Sequence, residues 1–157
     1  MTAPRSTVGG DAARGECDTL LRHDFASFAL RCFRELNPPT AFAMNWHVEL
    51  VAAKLAAVRG GGIRRLIVSL PPRHLKSLLA SVTFPAWCLG HDPSAQILCV
   101  SYAQDLADKL SRDCRRIVAS DWYQRLFPTR SRRGIRRCRN SRRPPRARGS
   151  PPRSAAC

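Results

Sequence analysis

Apolar residues recur at three- and four-residue steps early in the chain. Leu21, Phe25, Phe28, Cys32, Phe33 and Leu36 draw one stripe, which predicts an amphipathic helix over about 18–36. Asn37-Pro38-Pro39 ends it, since proline disfavours helical backbone in the residue before it. Asn45 is a good N-cap for a second helix running to Arg59. Val48, Val51, Leu55 and Val58 form its inner stripe, and Gly60-Gly61-Gly62 releases the chain. Ahead of both helices, residues 1–17 are rich in Gly, Ala, Thr and charge and lack periodicity, which predicts a disordered leader.

The pattern changes at Arg64. Leu66-Ile67-Val68-Ser69-Leu70 is a short, nearly continuous apolar run, the signature of a strand buried on both faces. Residues 71–75 follow as a loop, and Lys76 to about Trp87 reads as a helix that Pro85 kinks or ends. After a turn at His91-Asp92-Pro93-Ser94, residues 96–102 read as a second buried strand. A helix from Ala103 to Ser120 comes next, with Leu106, Leu110, Cys114 and Ile117 on its apolar face. The order β–loop–α–β–α predicts parallel strands joined by a right-handed crossover, hence an α/β fold preceded by helices. Two strands are too few for a parallel sheet, which needs both faces and its edges covered. The expected sheet is therefore incomplete, and Leu66, Val68, Ile97 and Val100 are expected to lack full cover.

Charge divides the chain. The formal net charge is +16, and residues 129–157 hold eleven Arg and no acidic residue. These residues form an Arg/Pro-rich tail expected to be disordered, while 18–128 reads as the folded part. No run of about 18 apolar residues suggests a membrane span. The first fifteen residues contain no apolar core of a secretory signal. Seven Cys without a C-x-x-C pair fit reduced thiols of a cytosolic protein, several of them on apolar stretches. The four His are scattered with no helical i, i+4 pair, so spacing offers no metal site.

The segment Leu70-Pro71-Pro72-Arg73-His74-Leu75-Lys76-Ser77 lies between an expected strand and a helix start, where a phosphate loop belongs. A helix start presents free N–H groups and the positive end of its dipole. Lysine can reach the β/γ-phosphates and the following hydroxyl can hold Mg²⁺, and Lys76 and Ser77 have the right types and order. Leu70 and Leu75 occupy both glycine positions of G-x-x-x-x-G-K-[ST], and leucine does not easily supply positive φ. Two readings of the residues stand: a nucleotide loop, or a proline-stiffened turn whose lysine points into solvent.

Asn45-Trp46-His47-Val48-Glu49-Leu50, residues 64–77, Phe84-Pro85-Ala86-Trp87, and Ser101-Tyr102-Ala103 with Leu106-Ala107 together resemble the large terminase subunit of tailed bacteriophages. That family supplies the ATPase motor and endonuclease of DNA packaging. The resemblance covers about residues 20–128. Its most specific element is Pro-Pro-Arg-His-Leu-Lys-Ser, a variant phosphate loop in which some members carry Leu before the lysine. It implies an incomplete P-loop NTPase-like sheet, with ATP and Mg²⁺ as cofactors. Pro72, Arg73, His74, Leu75, Lys76 and Ser77 would hold the nucleotide, Lys76 at the β/γ-phosphates and Ser77 at the Mg²⁺. Arg73 would join Lys76 in catalysis as the loop's extra cation. Trp46 and His47 fall where the family often holds adenine, although Trp46 could equally pack its helix on the sheet. Ser101-Tyr102 would end the second strand on the loop's edge. Arg115 and Arg116 offer either a contact to DNA or a neighbouring subunit, or a solvated helix face.

The family continues with an acidic motif that positions Mg²⁺ and water, and then with a nuclease domain. After Asp121 this chain has no acidic residue, so neither hydrolytic water activation nor two-metal cleavage can be built from what is present. The resemblance ends at Pro128. An Arg-, Pro-, Ala- and Ser-rich continuation, in a chain with 24 Arg to 3 Lys, is what a shifted frame in GC-rich DNA produces, so frameshift or truncation is the expectation. The chain is then a fragment of the motor, inactive alone. Double-stranded DNA, the portal and the small terminase subunit would be partners of the full-length protein, without a membrane, in the bacterial host cytoplasm. The alternatives are a small basic nucleic-acid-binding protein acting through its Arg tail, bound by phosphates alone because the tail lacks aromatics, or a small nucleotide kinase, disfavoured because no acceptor site or lid is visible.

Overall fold

A computed structural model of the chain describes residues 8–128. The first seven residues of the expected leader and the whole 129–157 tail lie outside the described residues. The elements are α1 (Val8–His23), α2 (Phe25–Leu36), α3 (Trp46–Arg59), and then α4 (Lys76–Leu78), a π-helical segment (Leu79–Thr83) and α5 (Phe84–His91) in unbroken succession. After them come α6 (Gln104–Ala119) and α7 (Asp121–Leu126).

Several boundaries differ from the sequence reading for physical reasons. The first helix begins at Val8, so the expected leader is helical from there on. It does not run through to Leu36, because Asp24 leaves helical backbone and caps α2. Its carboxylate accepts from the Ala26 and Ser27 N–H groups at 3.3 and 2.8 Å, satisfying donors that a helix start otherwise leaves open. Asn45 precedes α3 in extended backbone but makes no side-chain cap bond. The left-handed residue that turns the chain away is Gly61, at φ 80°. Pro85 does not end its helix before Trp87. It sits in the first turn of α5, just after the π segment, and the helix runs on to His91. A π turn is one way for a helix to absorb the hydrogen bond that proline cannot make.

The expected α/β fold, with its incomplete P-loop NTPase-like parallel sheet, is not what forms. Among the described residues there is no β-strand; residues 64–70 and 96–102 pair with nothing as strands. Leu66, Val68 and Leu70 turn partly inward onto the helical core, while Ile67 is 94% exposed. In the second segment Leu98, Val100 and Tyr102 are exposed. The alternation is real at 66–70, but a strand needs a partner edge, and the helices have already covered one another.

The core is aromatic and helical. The π segment touches α2, α3 and α6 and buries Leu79, Val82 and Thr83. Phe25 lies 5.2 Å from Trp87, and Phe28 packs against Trp122, Tyr123 and Phe127, all as ring-centroid contacts. The Tyr123 hydroxyl donates to the Ala86 carbonyl at 2.7 Å, tying α7 to α5. Arg22 Nε donates to the Leu126 carbonyl at 2.7 Å, closing the end of α7 onto α1. His91 Nε2 donates to the Arg22 carbonyl at 2.9 Å while its ring lies between Trp87 and Phe127. Among the cysteines, Cys32 and Cys114 are buried and Cys17 and Cys99 exposed. Burial raises the Cys32 thiol and pushes Cys88 up to about 11.

This packing has two measurable consequences. A Cβ on Gly90 would fall 2.5 Å from the Phe127 ring, so Gly90→Ala should destabilise the fold by about 1–3 kcal/mol, read as a lower urea midpoint at unchanged slope. Desolvation, with Arg59 the main repulsive charge, holds the His91 imidazole below its ordinary range. A base with a lowered folded pKa contributes stability above its unfolded value, near pH 6.5, and loses it as the pH falls through that window. The melting temperature should therefore drop on acidification from about pH 7.5 to 5.5, and His91→Gln should flatten that part of the profile.

Candidate functional site

Residues 70–77 form a tight loop entering the helical stretch that starts at Lys76. Leu70 is half-buried and anchors one end; Pro71 and Pro72 are exposed. Arg73 and Leu75 both have left-handed backbone, at φ 68° and 57°. Leu75 caps the helix in that conformation, with φ 57° and ψ 10°, and its carbonyl accepts from the Leu79 N–H at 2.9 Å. Local preference favours glycine on such a path. Here leucine takes it, and its side chain packs partly against the core, which offsets the cost.

Two side chains close the loop on itself. Lys76 Nζ reaches back to donate to the Leu70 carbonyl at 3.2 Å. His74 Nδ1 lies 3.0 Å from the Pro72 carbonyl, as a donor in the tautomer that carries its proton there. Arg73 and Ser77 are exposed beside them. The loop is thus cationic at its mouth, with a hydroxyl in the first helical turn and no acidic residue between 70 and 91.

The structure brings α3 to this loop. His47, in the first turn of α3, meets the His74 ring at a centroid distance of 5.2 Å, and Trp46 meets His47 edge-on at 6.0 Å. Trp46 is 76% exposed, so it does not serve as packing within the described fold. Trp46, His47 and residues 72–77 therefore share one surface. Ser101 and Tyr102 do not join it through a sheet edge, since no sheet forms, and Tyr102 is 95% exposed. Arg115 and Arg116 lie on the outer face of α6, where Arg115 Nε donates to the Ser111 carbonyl.

Ser77 and Lys76 have the chemistry that a magnesium nucleotide requires, a hydroxyl ligand and a phosphate-binding cation side by side. Among the described residues no group of three or more His, Cys, Asp or Glu could hold a metal ion. Ser77 is the hydroxyl in this loop that could serve as one ligand to a Mg²⁺ arriving with a phosphate group. Two features escaped the sequence reading. The His47–His74 contact has no local signal, because it joins residues far apart in the chain. The π segment had one signal, a proline within an otherwise helical pattern.

No family model matches the chain, and neither the curated proteins nor the solved structures give a match.

The backbone at Arg73 yields a direct test of the loop. Its side chain is exposed, so Arg73→Gly removes little packing and relieves the left-handed strain. Stability should stay level or rise by up to about 1 kcal/mol. Arg73→Val, β-branched and ill-suited to positive φ, should cost about 1 kcal/mol or more. Paired urea titrations of the two variants measure the difference.

Proposed function

We propose that this chain binds ATP with Mg²⁺ through residues 70–77, and that it is the N-terminal part of a DNA-packaging motor of the large-terminase type. The observation that carries the reading is the left-handed backbone at both Arg73 and Leu75, directly before Lys76. Left-handed residues at alternate positions are a backbone form that turns N–H groups toward one side, as anion-binding nests do. It supports reading Leu75 as the functional equivalent of a loop glycine. Lys76 supports it further, because its ammonium already spans the loop to the Leu70 carbonyl. A phosphate oxygen is a stronger, charge-assisted acceptor than that carbonyl and would displace it.

In this reading the loop N–H groups and Lys76 bind the β/γ-phosphates, Ser77 holds the Mg²⁺, and Arg73 supplies a second cation at the mouth. Bound Mg²⁺ neutralises phosphate charge. The exposed Trp46 indole, with His47 beside it, offers a face on which adenine can stack. Binding of the nucleotide is the activity proposed for these residues. In the complete motor the partners would be double-stranded DNA, the portal and the small terminase subunit, in the cytoplasm of a bacterial host. Among the described residues no helix is long and apolar enough to cross a membrane.

Calorimetric titration of the chain with ATP in the presence of Mg²⁺ tests the reading. Lys76→Ala should weaken binding by roughly ten- to hundredfold, the loss of one charge-assisted hydrogen bond. Ser77→Ala should reduce the gain in affinity that Mg²⁺ confers. Wild-type affinity in Lys76→Ala would remove the loop from the site.

A further inference from the structure

Left-handed backbone at two non-glycine residues is unfavourable by itself and persists only where surrounding contacts over-determine it. Leu75 has such a contact, since its side chain packs on the core. Arg73 is exposed. His74 lies between the two, and two contacts hold it from different directions. Within the loop, its Nδ1 bonds the Pro72 carbonyl at 3.0 Å. From outside, the His47 ring meets its ring at 5.2 Å and 64° between planes. α3, which carries His47, is itself anchored by buried Val48, Val51 and Leu55. Holding the His74 ring from two sides restrains the position of its Cα, and the left-handed residues on either side must carry the chain to and from that point.

We infer that His47 is a positioning residue for the loop: its ring, seated on His74, holds the left-handed turns at Arg73 and Leu75 in the form that sets Lys76 at the loop mouth. The functional meaning of this role rests on the nucleotide reading, but its physical content does not. Trp46 follows Asn45 into the same helical turn, and its ring meets the His47 ring edge-on at 6.0 Å, so the contact to His74 brings the loop beside the exposed indole.

Trypsin cleaves after Arg73 and so reads the loop without any nucleotide. The measurement is the initial rate of cleavage at Arg73 in the 157-residue chain, by mass spectrometry, relative to cleavage after Arg64 and Arg65 in the neighbouring extended segment. His47→Ala should raise that ratio roughly two- to tenfold, the population change expected for losing an edge-on ring pair. His47→Phe, which keeps an aromatic ring but no ring nitrogen, should restore protection. His74→Ala removes the same contact from the other side and should match His47→Ala. Cleavage after Arg115, inside α6, reports global unfolding and should stay at the wild-type rate. An unchanged ratio in both alanine variants, or failure of His47→Phe to restore it, overturns the positioning role. If Lys76→Ala leaves ATP binding unaffected while His47→Ala still loosens the loop, the nucleotide reading falls and the positioning role stands.

Discussion

The arrangement depends on burying the middle of one helical stretch, residues 76–91, among α2, α3 and α6. Its π segment supplies Leu79, Val82 and Thr83 to the interior, each at most 1% exposed, and the Thr83 hydroxyl is satisfied by the Leu79 carbonyl at 3.0 Å. Inserting a π turn widens the helix and shifts the phase of the residues beyond it. Trp87 then points into the aromatic cluster with Phe25, and Gly90 lies flat against Phe127. The N-terminal end of the same stretch is where the loop begins, so burial at Leu79 fixes where Lys76 and Ser77 emerge.

Around that stretch the contacts are aromatic rings capped by guanidinium groups and carbonyls. Arg59 stands 4.8 Å over the Trp87 ring and Arg31 5.2 Å over Trp122. Both indole Nε1 groups are buried without a hydrogen-bond acceptor among the described residues. That desolvation is a cost, and the cation over each ring partly offsets it. His91 and Arg22 join the ends of α1, α5 and α7 through two backbone carbonyls. α7, only six residues long, is held by Tyr123, Leu126 and these end contacts rather than by its own helical hydrogen bonds.

The loop is strained where the scaffold is not. Its left-handed residues flank His74 and sit directly against the start of a buried helix, so the packed interior bears the cost of a conformation that local preference opposes. Local rules and the tertiary structure disagree most sharply at Leu75, and that disagreement falls at the residue preceding Lys76. A strained position next to a cation, with an exposed indole nearby, is where a binding site is to be sought.

The sequence alone determined three helices and the faces they bury. The inner faces of α2, α3 and α6 are those that Phe25, Phe28, Cys32, Val48, Val51, Leu55, Cys114 and Ile117 mark out, because periodicity near 3.6 depends only on neighbours in the chain. It also marked out Trp46, His47 and residues 72–77 as candidate site residues. Tertiary structure decided what those patterns become. The apolar runs at 66–70 and 96–102 have the composition of strands, yet strand formation is a property of pairs of segments, and no partner edge meets them in the described fold. The break at Asp24 depends on a carboxylate turning to two N–H groups, and the helix passes Pro85 because a π turn precedes it. The left-handed backbone of Leu75 and the meeting of His47 with His74 could be settled only in three dimensions, since one requires a core to pack against and the other joins residues distant in sequence.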